Sequence, residues 1–293
     1  MKSKIKKQLP NNIKKELNNK VILVTGGAGS IGSELVKKLL EFPISSVRVL
    51  DINEHALFKL KRKIHDDRFR PLLGDILNLD RLEMAAKDVD IIIHMAAIKN
   101  IEISEFNPIE TIDTNVNGIV NLIKTIMKTN PSKFLNVSSD KAAEPSTLYG
   151  ASKNLAEHVV SWGGAHIPTI KFASVRFGNV FDTRGNVFEI WKEQIDEGKP
   201  ITVTDYKMKR FFFEKQDAVN FILKCIPLIK EGDIFVPKMK LYNLKDLAMK
   251  FSKNHKIIGV RQDEKMEEIL LSDDEKKHSV EKEDMWIINR HSN

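Results

Sequence analysis

Short runs of consecutive apolar residues alternate along the first half of the chain with longer segments in which apolar residues recur at helical spacing. An uninterrupted apolar run is typical of a strand buried on both faces of a sheet, and helical spacing is typical of a helix packed on that sheet. The strands predicted in this way lie at residues 20–25, 47–50, 70–73, 90–94, 134–137 and 169–175. Their alternation with helices predicts an α/β fold with a doubly wound parallel sheet, the Rossmann type.

The pattern becomes looser after residue 175, where turn residues and arginines interrupt it. We expect a basic, flexible or weakly helical tail at residues 1–19 and a dinucleotide-binding domain at 20–175. Residues 176–293 are expected to form mainly a smaller substrate lobe, with some segments returning to the first domain. Further helices are predicted at residues 108–129, 188–197, 216–228 and 241–251, and further strands at 201–205 and 256–260. Trp286, in the apolar sequence MWII, is expected to dock the end of the chain.

Three glycines follow the first predicted strand directly and precede a helical pattern. In that context Gly26 permits a tight turn, Gly29 lets a pyrophosphate approach the backbone, and Gly32 allows the helix to pack on the strand. The helix begins near Ser30 and Ile31, where free N–H groups and the positive end of the helix dipole attract phosphates. The segment therefore predicts a dinucleotide cofactor.

The ends of the next strands carry residues that fit the same cofactor. Asp51 follows Gly32 by 19 residues, where a carboxylate is expected to bind the adenosine ribose hydroxyls and to repel a 2′-phosphate. Asp51 favours NAD as the cofactor, although the nearby Arg48 and Lys59 leave NADP open. The other residues expected near the cofactor are Asp75, Ile76, Ala96, Ala97, Lys99 and Asn115.

Tyr149 and Lys153 are four residues apart in a predicted helix, so their side chains share one face. We expect Lys153 to lower the pKa of Tyr149, because a nearby ammonium favours the phenolate. Such a pair can take a proton from an alcohol while a hydride leaves the same carbon. The hydroxyl pair Ser138 and Ser139 and the charged doublet Asp140 and Lys141 end the preceding strand, and parallel strands bind ligands beyond these ends.

Other residues offer less specific signals. His94 ends a strand and could be a base, but a histidine in such a place is more often structural. Arg176, Arg184 and Arg210 are candidate clamps for a diphosphate, with Arg210 favoured by its aromatic neighbours.

Composition restricts the class of protein. The chain has 293 residues and a net charge of +7, of which residues 1–20 contribute +6 through seven lysines and one glutamate. The sequence therefore predicts a solvated tail rather than a nucleic-acid or membrane-binding arm. Residues 261–284 carry −5 and could attract that tail across subunits. One cysteine, Cys225, excludes an intramolecular disulfide and a thiol metal cluster, and without a secretory signal or an apolar run of ~20 residues we expect a cytoplasmic protein.

The sequence resembles the extended short-chain dehydrogenases/reductases through TGGAGSIG at 25–32, HMAA at 94–97 and YGASK at 149–153. More narrowly it resembles the UDP-N-acetylglucosamine 4,6-dehydratases of surface-glycan pathways, including the inverting enzyme of pseudaminic acid synthesis, in the CapD-like polysaccharide biosynthesis family. The segments that carry this narrower resemblance are residues 96–118, 138–153, 175–187 and 204–213. An R-P-G-E-K motif expected by this resemblance reads RQDEK at 261–265.

The resemblance implies a role for each matching residue. Tyr149 is implied to be the base for the sugar 4-hydroxyl, Lys153 to hold the nicotinamide ribose, and Ser139 to bind the substrate near C4. Asp140 is implied to protonate the leaving C6 hydroxyl, and Lys141 to remove the C5 proton. Residues implied to contact the UDP-sugar are Lys99, Ser139, Tyr149, Asn179, Arg184, Val187 and Arg210.

Two other functions remain open from the sequence. A UDP-sugar 4-epimerase needs Ser139, Tyr149 and Lys153 but has no use for a charged doublet after the serine. A cofactor-binding scaffold without turnover has no chemical reason to keep this set. Enzymes of this class are commonly dimers or larger, so a homo-oligomer is expected.

Overall fold

A nine-stranded sheet forms the centre of the computed structural model, which describes residues 11–260 and 264–290. The strands of the protein are β1 (Val21–Thr25), β2 (Ser46–Asp51), β3 (Phe69–Leu73), β4 (Ile91–His94), β5 (Lys133–Ser139), β6 (Lys171–Phe177), β7 (Asn179–Val180), β8 (Ile201–Val203), β9 (Lys209–Phe213), β10 (Glu231–Pro237), β11 (Lys240–Asn243), β12 (His255–Ile257), β13 (Ser279–Glu281) and β14 (Met285–Ile288). The helices are α1 (Asn11–Leu17), α2 (Ser30–Leu39), α3 (Glu54–Lys63), α4 (Leu79–Ala86), α5 (Ile101–Phe106), α6 (Pro108–Ile112), α7 (Gly118–Thr129), α8 (Leu148–His166), α9 (Val187–Asp196), α10 (Lys215–Cys225), α11 (Leu244–Phe251) and α12 (Asp273–Lys277).

The large sheet has the order β13-β14-β10-β6-β5-β4-β1-β2-β3. The strands from β3 to β10 in this order all pair in parallel, whereas β14 and β13 pair antiparallel at one edge. The run β3-β2-β1-β4-β5-β6 is the doubly wound order of dinucleotide-binding folds. The fold class predicted from the apolar runs is therefore confirmed, and residues such as Leu23 and Ile92 are fully buried between the two helical layers.

Several elements differ from the sequence prediction. The helix expected at 108–129 is divided by a π-helical turn, Asp113–Asn117, between α6 and α7. Strand β10 was not expected, and residues 241–243 belong to β11 rather than to the following helix. Trp286 lies in β14, which pairs with β10, so the end of the chain docks on the main sheet as expected.

Residues 11–17, within the flexible or weakly helical tail predicted at residues 1–19, form the helix α1, and its buried side chains contradict the prediction of a solvated segment. Ile13 and Leu17 lie one helical turn apart and are fully buried in the main core, and Glu16 forms a salt bridge with Lys133. The burial of two large side chains offsets the conformational entropy lost on ordering the segment. Residues 1–10 lie outside the described residues.

A second group of elements extends beyond the C-terminal ends of the parallel strands. It contains a three-stranded sheet, β11-β9-β7, and a two-stranded sheet, β12-β8. Helices α9 and α11 cover a separate aromatic core built around Phe188, Trp191 and Phe212. Cys225 is buried in the main core. In the residues that the structure describes, no helix is long and apolar enough to cross a membrane.

Candidate active site

The glycine turn after β1 has the geometry expected for close approach of a phosphate. Gly26 has φ of +67°, and a Cβ atom there would lie 2.6 Å from the amide nitrogen of Ala96. A Cβ atom at Gly32 would lie 2.7 Å from the carbonyl oxygen of Gly26. Helix α2 begins at Ser30 with Gly29 as its N-cap, so no side chain caps its first N–H groups. These N–H groups can hold an anion at the helix N-terminus.

Asp51 links the glycine turn to the end of β2. Its Oδ2 atom accepts a hydrogen bond from the amide of Ala28 at 3.0 Å, and Oδ1 accepts one from the amide of Asn53 at 3.0 Å. The carboxylate therefore lies against the glycine turn, and its contact with the adenosine ribose stays a prediction. The guanidinium of Arg48 donates to the carbonyl oxygens of Ala85 and Lys87 and therefore does not bind Asp51. Lys59 is exposed on α3.

The third strand is followed by residues with different surroundings. Asp75 is half-buried and accepts a hydrogen bond from the amide of Leu77 at 2.9 Å. Ile76 is buried against α7, where a Cβ atom at Gly118 would lie 2.5 Å from its Cδ1 atom. The expected cofactor contacts of these two residues stay predictions, although the whole set around the glycine turn fits a dinucleotide.

Asn115 fixes the loop that follows β4. Its Oδ1 atom accepts a hydrogen bond from the amide of Ile98, and its Nδ2 group donates to the carbonyl oxygen of Ile98 and to Oγ of Ser152, each at 2.9 Å. The π turn projects this buried side chain towards the loop, and such turns occur frequently at functional sites. Ala96 and Ala97, which lie in that loop, are half-buried. Asn115 thus connects the expected cofactor loop to the helix that carries Tyr149.

His94 is structural. It is 2% exposed, and its Nδ1 atom is 2.7 Å from Oγ1 of Thr25. Burial, together with the charge of Lys153, lowers the pKa of His94 to about 3. The ring therefore stays neutral at physiological pH and holds β4 to β1, which agrees with the expectation from its place at a strand end.

Helix α8 positions Tyr149 and Lys153. Thr147 caps the helix by accepting a hydrogen bond from the amide of Gly150 at 3.1 Å, and Glu105 accepts one from the amide of Leu148 at 2.7 Å. Lys153 is buried and donates to the carbonyl oxygen of Val137 at 2.8 Å. Burial lowers the pKa of Lys153 to about 8, against the opposing effect of Glu157.

The expected lowering of the Tyr149 pKa by Lys153 is wrong for this structure. Burial raises the pKa of Tyr149 above its usual value, and the nearby charge of Asp140 raises it further. The effects that lower it come from a hydrogen bond with Ser139 and from the ammonium of Lys141. The positive charge that favours the phenolate therefore comes from the doublet rather than from the lysine on the same helix face.

The charged doublet occupies a short 3-10 turn directly after β5. Asp140 is 1% exposed, and its Oδ1 atom lies 3.0 Å from Oγ of Ser139 and 3.1 Å from Nζ of Lys141. Within the described part of the chain, the buried Oδ2 atom of Asp140 and the hydroxyl of Ser138 have no hydrogen-bond partner. A Cβ atom at Gly178 would lie 3.1 Å from Oδ2, so a larger residue at this position would crowd this oxygen. Asp140 thus has one oxygen fixed by its neighbours and one buried oxygen without a hydrogen-bond partner in the described part of the chain.

Glu268 is a residue of the site that the sequence analysis missed. Its Oε1 atom lies 3.5 Å from Nζ of Lys141, and its side chain is 8% exposed. Burial alone would lower the pKa of Lys141, but Asp140 and Glu268 raise it above its usual value. The acidic composition of residues 261–284 was the only signal in the sequence, and it does not single out one carboxylate.

The three candidate arginines have different surroundings. The prediction that Arg176 clamps a diphosphate is wrong. Arg176 is fully buried, and its guanidinium pairs with Glu157 at 2.6 Å and with Glu275 at 2.7 Å. Arg210 is 8% exposed and pairs with Glu264 at 3.2 Å, so a role in binding diphosphate stays a prediction.

The loop around Arg184 lies over the glycine turn. The amide of Arg184 donates to Oγ of Ser30, and its guanidinium donates to the carbonyl oxygen of Ala28, each at 3.1 Å. The Nζ atom of Lys99 donates to the carbonyl oxygen of Arg184 at 2.8 Å, which brings two predicted substrate residues together.

The two remaining predicted substrate residues lie in the second group of elements. Asn179 in β7 donates to the carbonyl oxygen of Phe211 at 3.2 Å, and Val187 starts α9 half-buried. Among the described residues, no cluster of three or more acidic, histidine or cysteine side chains could hold a metal ion.

The family model described as polysaccharide biosynthesis protein matches residues 22–290. The chain belongs to the polysaccharide biosynthesis protein family. The chain is 41% identical to an uncharacterized membrane protein of Methanocaldococcus jannaschii, over 92% of the chain and 86% of the relative. It is 36% identical to the inverting UDP-N-acetylglucosamine 4,6-dehydratase of Campylobacter jejuni, over 92% of the chain and 83% of the relative. The resemblance to the UDP-N-acetylglucosamine 4,6-dehydratases is therefore confirmed.

Solved structures are similar to this protein over most of its length. Pen from Bacillus thuringiensis superposes with a TM-score of 0.89 at 34% identity, covering 93% of the chain and 88% of that structure. DesIV from Streptomyces venezuelae, a dTDP-glucose 4,6-dehydratase with NAD and TYD bound, superposes with a TM-score of 0.79 at 21% identity. It covers 88% of the chain and 90% of that structure, and at this identity it supports the fold alone.

Proposed function

We propose that this protein is an NAD-dependent UDP-N-acetylglucosamine 4,6-dehydratase of the 5-inverting kind. It would make a UDP-4-keto-6-deoxy-N-acetylhexosamine for surface polysaccharide synthesis. The observation that carries the proposal is the buried, hydrogen-bonded pair of Asp140 and Lys141 beside Ser139 and Tyr149. The similarity to the Campylobacter jejuni dehydratase supports the same substrate.

A bound nicotinamide dinucleotide would supply the oxidising power, by accepting a hydride from C4 of the sugar and returning one to C6. The glycine turn and the N-terminus of α2 would hold its pyrophosphate, Asp51 its adenosine ribose and Lys153 its nicotinamide ribose. Asp51 already binds the turn through the amide of Ala28, and its charge disfavours the 2′-phosphate of NADP.

The residues of the chain would move three protons up to the loss of water, and C5 would take up a fourth proton when the hydride returns to C6. Tyr149, aided by Ser139, takes the proton of the 4-hydroxyl as the hydride leaves C4. The resulting ketone acidifies the C5–H bond, and Lys141 in its neutral form takes that proton. Asp140 in its protonated form gives its proton to the C6 hydroxyl, which leaves as water. A C4 epimerisation would need only the first of these transfers, so the doublet favours dehydration.

The second group of elements is proposed as the substrate lobe. Lys99, Asn179, Arg184, Val187 and Arg210 would contact the UDP-sugar there. Large apolar side chains that are exposed on α5 and α6, among them Phe106 at 80% and Ile109 at 70%, support a homo-oligomer. A reducing cytoplasm suits the single buried thiol of Cys225.

Incubation of the purified protein with UDP-N-acetylglucosamine tests the proposal. We expect a product that has lost one water, without added reduced cofactor, and NMR of this product assigns its C5 configuration. Formation of UDP-N-acetylgalactosamine without loss of water would instead identify a 4-epimerase. Unchanged substrate, with dinucleotide bound to the protein, would support the scaffold.

A further inference from the structure

The carboxylate of Glu268 reaches the catalytic doublet from the C-terminal end of the chain. The distance from its Oε1 atom to Nζ of Lys141 is 3.5 Å, and the residue is 7% exposed. No role in the proposed proton transfers requires a second carboxylate at this lysine. Glu268 is therefore a buried ionisable group that the mechanism leaves unused.

The segment that carries Glu268 is fixed on both sides. On the N-terminal side, the amide of Lys209 donates to the carbonyl oxygen of Met266 at 2.9 Å, beside a parallel β-bridge between Lys209 and Glu267. On the C-terminal side, Leu270 and Leu271 are buried in a small apolar cluster with β10 and β14. The guanidinium of Arg176 also donates to the carbonyl oxygen of Leu270 at 3.1 Å. The position of the Glu268 backbone is thus set by contacts independent of Lys141.

Among the residues that the structure describes, three titratable groups face the ammonium of Lys141. Asp140 precedes it in the same turn, Tyr149 comes from α8, and Glu268 comes from the C-terminal segment. Asp140 and Glu268 both favour the charged lysine, and they do so at a site that excludes most solvent. Two carboxylates therefore share one ammonium.

We propose that Glu268 is a positioning residue that fixes the Lys141 side chain beside the substrate and sets the pH range in which Lys141 removes the C5 proton. This inference rests on the proposed dehydratase function. Without Glu268, Lys141 would keep Asp140 alone as a carboxylate partner in the described part of the chain. Asp140 would then hold the Lys141 ammonium without the help of Glu268. The neutral form of Lys141 would become accessible at lower pH, because one negative charge that favours the ammonium is lost.

The sign of the effect can be tested directly. In Glu268→Gln, loss of one negative charge favours the neutral lysine, so the rising limb of the pH–rate profile should move to lower pH by about 1 unit. The plateau rate should fall, because the amine is less well held. The rate is read as deuterium incorporation at C5 from heavy water, and formation of the reduced nicotinamide is followed separately by absorbance.

Two matched variants accompany this change. Glu267→Gln removes the neighbouring carboxylate, which is 47% exposed and pairs with Lys209 instead, so its profile should overlay that of the wild type. Glu268→Asp keeps the charge on a shorter side chain, so it should lower the plateau with a smaller displacement along the pH axis. Thermal unfolding verifies that each variant is folded.

The outcomes separate this inference from the proposed function. If the wild type releases no water from the substrate, the dehydratase assignment fails. If the wild type dehydrates its substrate and the Glu268→Gln profile coincides with that of the wild type, the role of Glu268 fails alone. If Glu268→Gln does not fold, the test passes to Glu268→Asp. A plateau rate in Glu268→Asp equal to that of the wild type then overturns the positioning role.

Discussion

The ammonium of Lys141 lies 3.1 Å from the carboxylate of Asp140, so the proposed base and acid of the elimination are hydrogen-bonded to each other. As an ion pair they have the protonation states expected after elimination, when one group has taken a proton and the other has given one. Transfer of a single proton along this bond converts the pair into the neutral amine and neutral acid from which elimination starts. The contact therefore links the two halves of the proposed reaction.

The first prediction concerns this pair. Asp140→Asn and Lys141→Met each remove one proton-transfer group and should lower the dehydration rate by about 10²–10⁴-fold. Bound dinucleotide should be retained, because neither side chain belongs to the glycine turn. Mass spectrometry of the product and the dinucleotide content of the purified variants measure the two effects. Full dehydration activity in either variant would refute the assigned roles.

A second prediction concerns the glycine turn. Gly26→Ala introduces both a side chain at φ of +67° and an overlap with the backbone of Ala96. Gly198 has φ of +69° with no atom within 4 Å of a Cβ position, so Gly198→Ala isolates the conformational cost of about 1–2 kcal/mol. We expect Gly26→Ala to destabilise the protein more than Gly198→Ala and to lose bound dinucleotide. Denaturant unfolding and dinucleotide content distinguish the two variants, and equal losses in both would contradict the tight-turn interpretation.

A third prediction concerns the buried ion pairs of Arg176. Glu157→Gln leaves a fully buried guanidinium with one carboxylate fewer, and the free energy of unfolding should fall by about 3–5 kcal/mol. The half-buried pair of Glu34 and Lys37, which lies one helical turn apart on α2, provides the control, and Glu34→Gln should change the free energy of unfolding by less than about 1 kcal/mol. Urea unfolding measures both. Similar small losses in the two variants would show that the buried cluster is not a determinant of stability.

A fourth prediction concerns acid sensitivity. The pKa of His94 is about 3 in the folded protein against an ordinary value of 6.5, so between these pH values the unfolded chain binds a proton that the folded protein does not. Stability should therefore fall as the pH falls below 6.5, by about 2 kcal/mol from this residue by pH 5. His94→Asn can keep a hydrogen bond to Thr25 and should lose this part of the pH dependence. Unfolding free energies at the two ends of the range test it, and equal slopes for variant and wild type would count against the buried neutral histidine.

Local sequence determined the parts of the site that depend on neighbouring residues. Gly26 and Gly32 were identifiable because a strand, a turn and a helix follow one another directly, and the close backbone contacts of Gly32 lie within that same turn. Tyr149 and Lys153 were predicted to share a helix face, since their spacing alone sets this. The apolar runs similarly predicted the parallel strands, because a strand buried on both faces leaves that pattern in its own residues.

Contacts between distant segments decided the rest. The sequence could not separate Arg176 from Arg184, because burial with Glu157 and Glu275 depends on where α8 and α12 lie. The helical spacing of Ile13 and Leu17 became a folded helix only against a core formed by later residues. Glu268 is one of several acids in a charged segment, and only the docking of that segment beside β9 brings it to Lys141. Electrostatic effects follow the distances that the fold creates, so the pKa of Tyr149 also depends on burial that its helix alone does not reveal.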